Sequence, residues 1–580
     1  MNFVSPRSRW NITQSDTKIT EMLQRELGVS HMVATLMAKR NISELDHAKR
    51  YLNPGVHNLP DPMLLPDALK ACERIRTALK NKEKILVHGD YDGDGVTSAA
   101  LWTRLLRRLG GDVEVIVPHR GRDGYDMRSP VVARAVQMGV TLIVTSDCGI
   151  QRVDEVDEAR THKIDVVITD HHEPGLKLPD AAAVVNPHRK DSIYPYENLA
   201  GVGVAYRLGE ALVAYMGLNV DSYRRAYADL AAIGTVTDRM PLTGDNRDIV
   251  HFGLQCLSGT KKAGLKALLK QCQVEGPVTV QTLGFGVGPR LNAAGRVDET
   301  LPALDILLTE HDEIAESLAS LLTQRNTERK EIQKAVIHEA EAQALSMLPQ
   351  KMLVLVGNTW PSGVIGLAAG KICQTYNRPC VLIAVDNTLG TARGSARSIE
   401  TFQMLDALIE CKDLLLEFGG HAFAAGFSID PKNVDLLRKR LNEIADKQLT
   451  PEDLIPTTNI DYAIELDQLD APLMRDLERL APYGAGNPSP VLLSTEAKLA
   501  GWSIMGKEKE HLKMQFSACR LKDGIVEAPV WGAAKSAKEL MMNDRFDICF
   551  SPDVNRFNGS ERIQLQIEDI AKSANSQPEL

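Results

Sequence analysis

The sequence lacks the features that mark several large classes of protein. No run approaches the ~20 consecutive apolar residues that a membrane-spanning helix requires. The start of the chain contains no apolar stretch of signal-peptide length, so we expect a protein that is not exported. Its nine cysteines never form a Cys-x-x-Cys pair, a distribution that suits reduced thiols in the cytoplasm.

A positive net charge is also absent. The chain has 67 Lys and Arg against 76 Asp and Glu, for a net charge of −9, which does not by itself indicate a nucleic-acid-binding protein. Net charge describes the whole surface, however, and leaves a single basic groove open. Residues 104–134 contain seven arginines against four acids. At the centre of this segment, Arg120 has the fork that suits phosphate oxygens, and Tyr125 has a ring that stacks on bases.

The apolar residues are distributed in short runs. With 580 residues, 44% of them apolar and 25% charged, the chain is long enough for three or four globular domains. From about residue 70, short runs that are apolar throughout alternate with helical stretches. Such runs predict strands covered on both faces, hence a doubly wound parallel sheet of the α/β class, whose ligand site lies beyond the carboxyl ends of the strands. The predicted strands are 84–87, 113–117, 141–145, 165–169 and 182–185.

The turn after the first predicted strand carries the strongest chemical signal. His88, Asp92 and Asp94 place one imidazole and two carboxylates within seven residues, between that strand and a predicted helix. Acids this close repel one another unless a cation lies among them, so the pattern indicates a divalent metal site. The spacing also opens like a calcium-binding EF-hand loop, but its twelfth position is Leu101 instead of glutamate. An acidic turn without function remains the alternative.

Three later apolar runs end in the same residue types. They supply Asp147, then Asp170 with His171 and His172, and finally Asp238. Any one of these fits an ordinary turn acid, but four strand-like endings that supply only carboxylate and imidazole favour a shared site. Oxygen and nitrogen ligands favour Mn²⁺ or Mg²⁺, whereas a structural zinc site would favour cysteine. Two ions about 3.5–4 Å apart, bridged by a carboxylate, would activate water for in-line attack on phosphorus.

The remainder of the chain shows three further patterns. Residues 303–347 carry interspersed charges without Pro or Gly, which predicts one long helix or two adjoining ones. A second α/β unit begins near Lys351, and its glycine-rich turns beside Ser395, Arg397 and His421 can present N–H groups to a phosphate. Purely structural turns are the alternative. Residues 456–573 alternate apolar and polar side chains, which predicts a small antiparallel barrel of the oligonucleotide-binding (OB) type.

These motifs resemble those of the DHH phosphoesterase superfamily, and more closely its RecJ branch of bacterial single-strand exonucleases. The resemblance covers nearly the whole chain. The motifs that carry it are His88-Gly-Asp-Tyr-Asp-Gly-Asp-Gly, Ser146-Asp-Cys-Gly, Asp170-His-His, Gly234-Thr-Val-Thr-Asp, Gly286-Val-Gly-Pro-Arg-Leu-Asn-Ala-Ala-Gly-Arg296, Gly394-Ser-Ala-Arg-Ser and Gly419-Gly-His-Ala-Phe-Ala-Ala-Gly. The resemblance implies a helical lead-in at 1–60, a DHH catalytic domain at 61–300, a connecting helix at 301–348, a DHH-associated domain at 349–448 and an OB-fold-like nucleic-acid-binding domain at 456–573.

The resemblance also assigns metal ligands. It implies that one ion is held by His88, Asp92 and Asp147. The other ion would be held by Asp94, Asp147, His171 and Asp238, so that Asp147 bridges the pair. Asp90 is expected to be an acid of the turn that makes no direct metal contact.

Catalytic and substrate-binding residues follow from the same resemblance. The catalytic residues would be Asp147, Asp94 and His172, of which His172 would face the scissile phosphate. The residues expected to bind substrate are Arg120, Tyr125, Arg290, Arg296, Ser395, Arg397 and His421.

The resemblance implies a metal-dependent exonuclease that degrades single-stranded DNA from the 5′ end to 5′-mononucleotides, in recombination and repair. The alternative is a DHH hydrolase of short oligonucleotides or other small phosphoesters, but the long C-terminal barrel favours a polymer. Filled ligand positions argue against a non-catalytic DNA-binding relative. The resemblance further implies a cytoplasmic monomer that uses two Mn²⁺ or Mg²⁺ ions and works with a single-strand-binding protein and a helicase.

Overall fold

The computed structural model describes residues 7–118, 126–274, 276–297, 300–386, 390–521, 523–557 and 560–573. Among the helices in these ranges, none combines the length and the apolar character that a membrane-spanning segment requires. The amino-terminal elements are β1 (Arg9–Ile12), α1 (Thr17–Leu27), α2 (His31–Lys39) and α3 (Leu45–Leu52).

The first lobe, residues 68–308, is built around a five-stranded sheet. Its strands are β2 (Lys84–Gly89), β3 (Asp112–Ile116), β4 (Leu142–Ser146), β5 (Asp165–Thr169) and β6 (Ala183–Val185). Its helices are α4 (Ala68–Asn81), α5 (Gly93–Arg108), α6 (Ser129–Gln137), α7 (Val153–Thr161), α8 (Gly201–Tyr215), α9 (Val220–Thr237), α10 (Gly244–Ser258), α11 (Ala263–Gln271), α12 (Gly288–Val297) and α13 (Leu301–Leu308), with a π-helix at Thr282–Val287.

The doubly wound parallel sheet is confirmed. Its order is β3–β2–β4–β5–β6, and all four neighbouring pairs are parallel. One face packs on α4, α5 and α8 through residues such as Val87 and Val144, and the other packs on α6 and α7 through Leu86 and Ile143. Burial on both faces explains why each strand is apolar along its whole length.

One of the four strand-like endings is not a strand. The run before Asp238 belongs to α9, and Asp238 is the C-cap of that helix. Residues 227–236 of α9 are all buried, so its sequence is apolar on every side instead of showing a helical stripe. A short apolar run of this kind has no period that separates a buried helix from a buried strand.

A long helix connects the first lobe to the second. This helix, α14 (Asp312–Met347), follows α13 after a short break and packs on α11 and α12 before it reaches the second lobe. The prediction of two adjoining helices is therefore confirmed. The second lobe consists of β7 (Leu353–Gly357), α15 (Ser362–Tyr376), β8 (Cys380–Asp386), β9 (Thr391–Arg397), α16 (Met404–Glu410), β10 (Leu415–Gly420), β11 (Ala424–Ile429) and α17 (Val434–Gln448).

The carboxy-terminal part forms a closed barrel. Its elements are β12 (Thr457–Ile460), β13 (Tyr462–Ala463), α18 (Ala471–Glu478), β14 (Leu492–Met505), β15 (His511–Ser517), β16 (Ile525–Val530), β17 (Arg545–Phe557) and β18 (Ser560–Lys572). β14 pairs with both β15 and β17, which closes the ring β14–β15–β16–β18–β17. The predicted barrel is thus confirmed, but it is not antiparallel throughout, because β16 and β18 pair in parallel.

The amino-terminal helices share a hydrophobic core with this barrel. Leu23, Val33 and Leu36 of the helices belong to the same buried cluster as Phe516 and Phe546 of the barrel. In addition, β1 pairs with β12 in parallel. The two ends of the chain therefore fold together.

Candidate metal centre

The site lies where the chain reverses direction across the first sheet. β3 lies on one side of β2 and β4 lies on the other, so a crevice opens between the carboxyl ends of β2 and β4. His88 is near the end of β2, the turn that follows carries Asp90, Asp92 and Asp94, and Asp147 directly follows β4. The acids meet because neighbouring parallel strands end at the same edge of the sheet.

Asp92 and Gly95 shape the turn after β2. Asp92 is the N-cap of α5, and its Oδ1 accepts hydrogen bonds from the backbone N–H groups of Asp94 at 3.0 Å and Gly95 at 3.1 Å. A Cβ atom at Gly95 would lie 2.6 Å from backbone atoms of Asp90. Glycine is therefore required for the loop to fold back so tightly.

Asp94 is held by the amino end of α8. Its Oδ2 accepts a hydrogen bond from the N–H of Gly201 at 2.7 Å, and its Oδ1 accepts one from the N–H of Val202 at 2.8 Å. The partial positive charge of a helix amino terminus favours a carboxylate in this place. Burial, and then the charge of Asp92, nevertheless raise the pKa of Asp94 to about 7. A cation beside Asp94 would favour the ionised form again.

Asp147 occupies the centre of the cluster with an unusual backbone. Its φ of 62° lies in the left-handed region, where residues other than glycine are uncommon. Its Oδ1 is buried without a hydrogen bond in the described part of the chain, although His171 Nε2 lies 3.1 Å away. A Cβ at Gly201 would approach Asp147 to 2.5 Å, so the helix start fits directly against it. Backbone strain that the surroundings hold in place indicates a functional constraint.

Asp170 organises the turn after β5. Its buried carboxylate accepts hydrogen bonds from the N–H groups of Ile150, His171 and His172 and from Nδ1 of His172 at 2.7 Å. Burial acts to raise the pKa of Asp170, but the hydrogen bond and charge of His172, the charge of His171 and the hydrogen bond from Ile150 together outweigh burial, and the pKa is lowered. Burial also acts against the charge on His172, yet Asp170 raises the pKa of His172 to about 9. The contact with Asp170 therefore favours the protonated form of His172.

Three groups of donor atoms are tight enough to hold a cation. Within each group the atoms lie within 4.8 Å of one another. Asp147 belongs to two of the groups, as a bridging ligand would. The groups are Asp90 with Asp92 and Asp147, Asp94 with His171 and Asp238, and Asp147 with His171 and His172.

His88 is the one expected ligand that these groups leave out. It is fully buried at the end of β2, and burial lowers its pKa to about 4. Asp90 lies beside Asp92 and Asp147 instead, and its Oδ1 is buried without a hydrogen bond among the described residues. Both ring nitrogens of the neutral His88 are likewise buried without a hydrogen bond among the described residues, so metal binding by His88 stays a prediction and Asp90 is a further candidate donor. The alternation Asp90-x-Asp92-x-Asp94 was the available signal.

The electrostatics of the cluster fit a bound divalent cation. Burial, followed by the charges of the neighbouring acids, raises the pKa of Asp147 and of Asp238 well above the usual carboxyl value. Burial, followed by the charge of His172, lowers the pKa of His171 to about 4, so this imidazole is neutral and has a lone pair for a metal. Crowded carboxylates beside a neutral imidazole are the donor set that Mn²⁺ or Mg²⁺ would stabilise.

Two arginines, Arg239 and Arg397, lie near each other beside this cluster, and Arg239 lines a cavity there. The cavity, which we call the central cavity, measures about 740 Å³ and is lined by Arg239, which follows Asp238, and by Leu367 of α15. Arg397 and Ser395 of β9 lie against Gly366, one residue before Leu367. Burial lowers the pKa of Arg397, and the nearby charge of Arg239 lowers it further. Within the described residues neither arginine has an ion-pair partner, so the site has an unmatched positive charge.

Arg239 was not expected from the sequence. It lies in the left-handed region with φ of 61°, so the α9 terminus turns sharply after Asp238. Its position directly after a proposed ligand was the only signal in the sequence.

The other residues expected to bind substrate have different surroundings. The guanidinium of Arg290 donates to Thr323 Oγ1 and to the carbonyl oxygens of Gly286 and Gln271, so it fastens α12 to its neighbours. His421 is exposed beside the turn between β10 and β11. Arg120, Tyr125 and the side chain of Arg296 lie outside the described residues. Substrate contact by these five residues stays a prediction.

Comparison with known families finds matches in three parts of the chain. Residues 84–235 match the DHH family, N-terminal domain. Residues 349–447 match the DHHA1 domain, and residues 460–569 match the RecJ OB domain.

Several relatives are similar along nearly the whole chain. The single-stranded-DNA-specific exonuclease RecJ of Bacillus subtilis is 35% identical over 572 residues, which cover 98% of this chain and 72% of the relative. The RecJ exonuclease of Dickeya dadantii is 33% identical, with 96% and 99% covered. The crystal structure of RecJ in complex with Mn²⁺ from Thermus thermophilus matches with a TM-score of 0.82 and 28% identity, covering 99% of this chain and 80% of that one. A Mg²⁺ complex from the same organism matches with a TM-score of 0.77 and 28% identity, covering 99% and 79%.

Proposed function

Because the chain belongs to the RecJ family of single-stranded-DNA-specific exonucleases, we propose that it hydrolyses single-stranded DNA from the 5′ end and releases 5′-mononucleotides. The observation that supports this most is the position of the carboxylate and imidazole cluster. It lies at the switch point of the first sheet, next to a cavity that is lined by Arg239, and the charge of Arg397 lies near that of Arg239. A phosphodiester is the anion that both halves of this site would accept.

The cluster fits two divalent cations, Mn²⁺ or Mg²⁺. One would be held by Asp92 and Asp147 together with His88 or Asp90, and the other by Asp94, Asp147, His171 and Asp238. Buried ring nitrogens of His88 and buried oxygen atoms of Asp90 and Asp147, all without hydrogen bonds among the described residues, support this assignment. Bound divalent ions supply Lewis-acid chemistry, since they polarise the phosphate and lower the pKa of a water molecule.

The protein's own groups would orient the phosphate. Asp170 accepts a hydrogen bond from Nδ1 of His172, which favours the protonated form of the imidazole, and 39% of the His172 side chain is exposed. A fixed positive charge in this place stabilises the negative charge that develops on the phosphate oxygens. Asp170 is a positioning residue, since it acts on substrate only through His172.

Capture of the 5′ end would fall to the arginine side of the site. Ser395 and Arg397 lie against Gly366 in the second lobe, and the guanidinium of Arg397 is near enough to Arg239, the residue after Asp238, for the charge of Arg239 to lower its pKa. We assign the terminal 5′ phosphate to these two residues, with Arg120 and Tyr125 completing the pocket by family resemblance. A strand held by its 5′ end reaches the cluster a fixed distance inward, which would fix both the polarity and the product.

The test is digestion of one oligonucleotide in Mn²⁺, labelled at either end and offered as a linear single strand, a blunt duplex and a circle. We expect a labelled mononucleotide at once, and only from the 5′-labelled linear single strand. Cutting of the circle, or first release of the 3′ label, would contradict the proposed polarity. A chelator should stop the reaction, and added Mn²⁺ should restore it.

The setting of the enzyme is also proposed. Every cysteine lies in the described part of the chain and is free, which supports a reducing compartment such as the cytoplasm. By family resemblance we propose a role in DNA recombination and repair, as a monomer that works with a single-strand-binding protein and a helicase.

A further inference from the structure

The central cavity is built from distant parts of the chain. Its walls come from the end of α9, from the π-helix with α12, from Arg329 of α14, from Leu367 of α15 and from residues 483–489 ahead of the barrel. Of these wall residues, only Arg239 has a role in the proposed phosphate site. The apolar part of the wall could therefore contact a part of the substrate other than the phosphate.

Phe285 is the exposed aromatic residue of this wall. It lies inside the π-helix Thr282–Val287, and 80% of it is exposed to solvent in the cavity. π-helical turns are rare and occur frequently at functional sites. The two neighbouring glycines face the rest of the first lobe. A Cβ at Gly284 would lie 3.8 Å from Val236, and one at Gly286 would lie 2.9 Å from Cys272 Sγ. The backbone thus packs inward while the phenyl ring projects into the cavity.

The π-helix is fixed relative to the metal cluster. A Cβ at Gly288, just after the π-helix, would lie 2.8 Å from Oγ1 of Thr237, the residue before Asp238. In α12, Asn292 Oδ1 accepts a hydrogen bond at 2.7 Å from the N–H of Gly93, between Asp92 and Asp94. Thr237, Arg239 and Asn292 line the cavity together with Phe285. The ring is therefore held next to the place where phosphate chemistry is proposed.

We propose that Phe285 stacks on one nucleobase of the bound strand, at a fixed distance from the scissile phosphate, so that the enzyme senses whether a base is present there. This proposal rests on the proposed exonuclease function. Stacking of a flat base on an apolar ring removes the ring from water and so lowers the free energy of the complex. Every base has a face that can stack in this way. Arg239 beside the ring would meet the phosphate of the same strand, so that ring and guanidinium together bind one nucleotide unit.

The test uses short 5′-phosphorylated single strands in which one abasic nucleotide is moved through the positions nearest the 5′ end. Release of the first product is measured in Mn²⁺ in single turnover, for the wild type and for Phe285→Ala, Phe285→Trp and Leu69→Ala. Leu69, in α4, is also an exposed apolar residue, at 51%, but does not line the cavity. Thermal unfolding of each variant checks that it is folded.

We expect one position at which the missing base slows the wild type by roughly 5- to 150-fold. Phe285→Ala should be slowed to a similar extent on the intact strand and should show no further loss at that position. Phe285→Trp should keep the response of the wild type, and so should Leu69→Ala.

Two results would overturn the role of Phe285. One is a wild type that tolerates the abasic nucleotide at every position, and the other is a Phe285→Ala variant that keeps the wild-type response. Neither affects the proposed function as long as the wild type degrades the intact single strand. A wild type that releases nothing from any single strand would instead refute the exonuclease itself.

Discussion

Asp90 and His88 are two residues apart, yet they have different relations to the cluster. The carboxylate of Asp90 joins the donor atoms of Asp92 and Asp147, whereas His88 joins none of the three groups. Burial, and then the charge of Asp92, raise the pKa of Asp90 well above the usual carboxyl value. A buried acid that repels its neighbours is costly unless a cation lies between them. This cost makes Asp90 the more informative residue of the turn.

The first prediction compares Asp90→Asn with His88→Asn. The amide keeps the size of Asp90 but loses its charge, so we expect Mn²⁺ affinity to fall by more than about tenfold. His88→Asn should retain affinity closer to that of the wild type. Calorimetric titration of each purified variant with Mn²⁺ measures both affinity and stoichiometry.

Asp147→Ala is the reference for the same titration, because Asp147 belongs to two donor groups and its loss should weaken both ions. Asp154→Ala, an exposed acid of α7, is the matched control that should bind Mn²⁺ like the wild type. If His88→Asn loses more affinity than Asp90→Asn, the ligand set implied by the family resemblance is right and the geometric argument for Asp90 fails.

Helix ends, as much as strand ends, build the site. α5 starts at the Asp92 cap, the N–H groups of α8 hold Asp94, and α9 ends at Asp238. The strands were predictable from their apolar runs, and so were the acids that follow them, because burial on both faces leaves a continuous apolar signal. The contact of α8 with Asp94 could not be predicted, because it is made by backbone N–H groups, which every residue except proline carries. The helical structure of the run before Asp238 could not be predicted either, because α9 is buried on all sides.

The second prediction concerns the start of α8. In Gly201→Ala, the new methyl group would lie 2.5 Å from Asp147 Cβ and must displace that residue. A shift of about 1 Å in a catalytic group costs on the order of 100-fold in rate, so kcat should fall by about that factor. The overpacked contact should also cost about 1–3 kcal/mol of stability, so thermal unfolding is measured beside kcat to separate the two effects.

Gly203→Ala, in the first turn of the same helix, is the matched control. A Cβ there would lie 3.3 Å from its nearest atom, the Leu199 Cδ2, and would not meet Asp147. Its kcat should remain near that of the wild type. Equal loss of activity in the two variants would show that alanine harms the helix in general and would contradict the proposed contact with Asp147.

At the scale of the whole molecule, the amino-terminal helices and the segment ahead of the barrel contact the same part of the first lobe. Arg247 of α10 is buried at this junction, where its guanidinium lies 4.0 Å from the Tyr51 ring and donates to the carbonyl oxygens of Tyr51, Leu480 and Ala481. Arg50 nearby pairs with Asp245 and Asp248. The barrel could be predicted from its alternating pattern, but its partner helices could not, because contacts between residues so far apart in the sequence leave no local pattern.

The last prediction follows from this shared core. Removal of the barrel alone, as residues 1–450, would expose the apolar side chains of α1 and α2, such as Leu23 and Leu36, to water. We expect that fragment to aggregate or to unfold at a lower temperature than residues 54–450, which lack both partners of the core.

Residues 54–450 keep the whole carboxylate and imidazole cluster and should still cut short oligonucleotides in Mn²⁺. They should bind long single strands more weakly than the full chain, with a shallower dependence on salt, because the barrel's phosphate contacts are gone. Thermal unfolding, and binding measured across a salt series, test the two halves of the argument separately. Equal thermal stability of both fragments would contradict the shared core, and equal affinity of residues 54–450 and the full chain for long strands would contradict a role of the barrel in holding DNA.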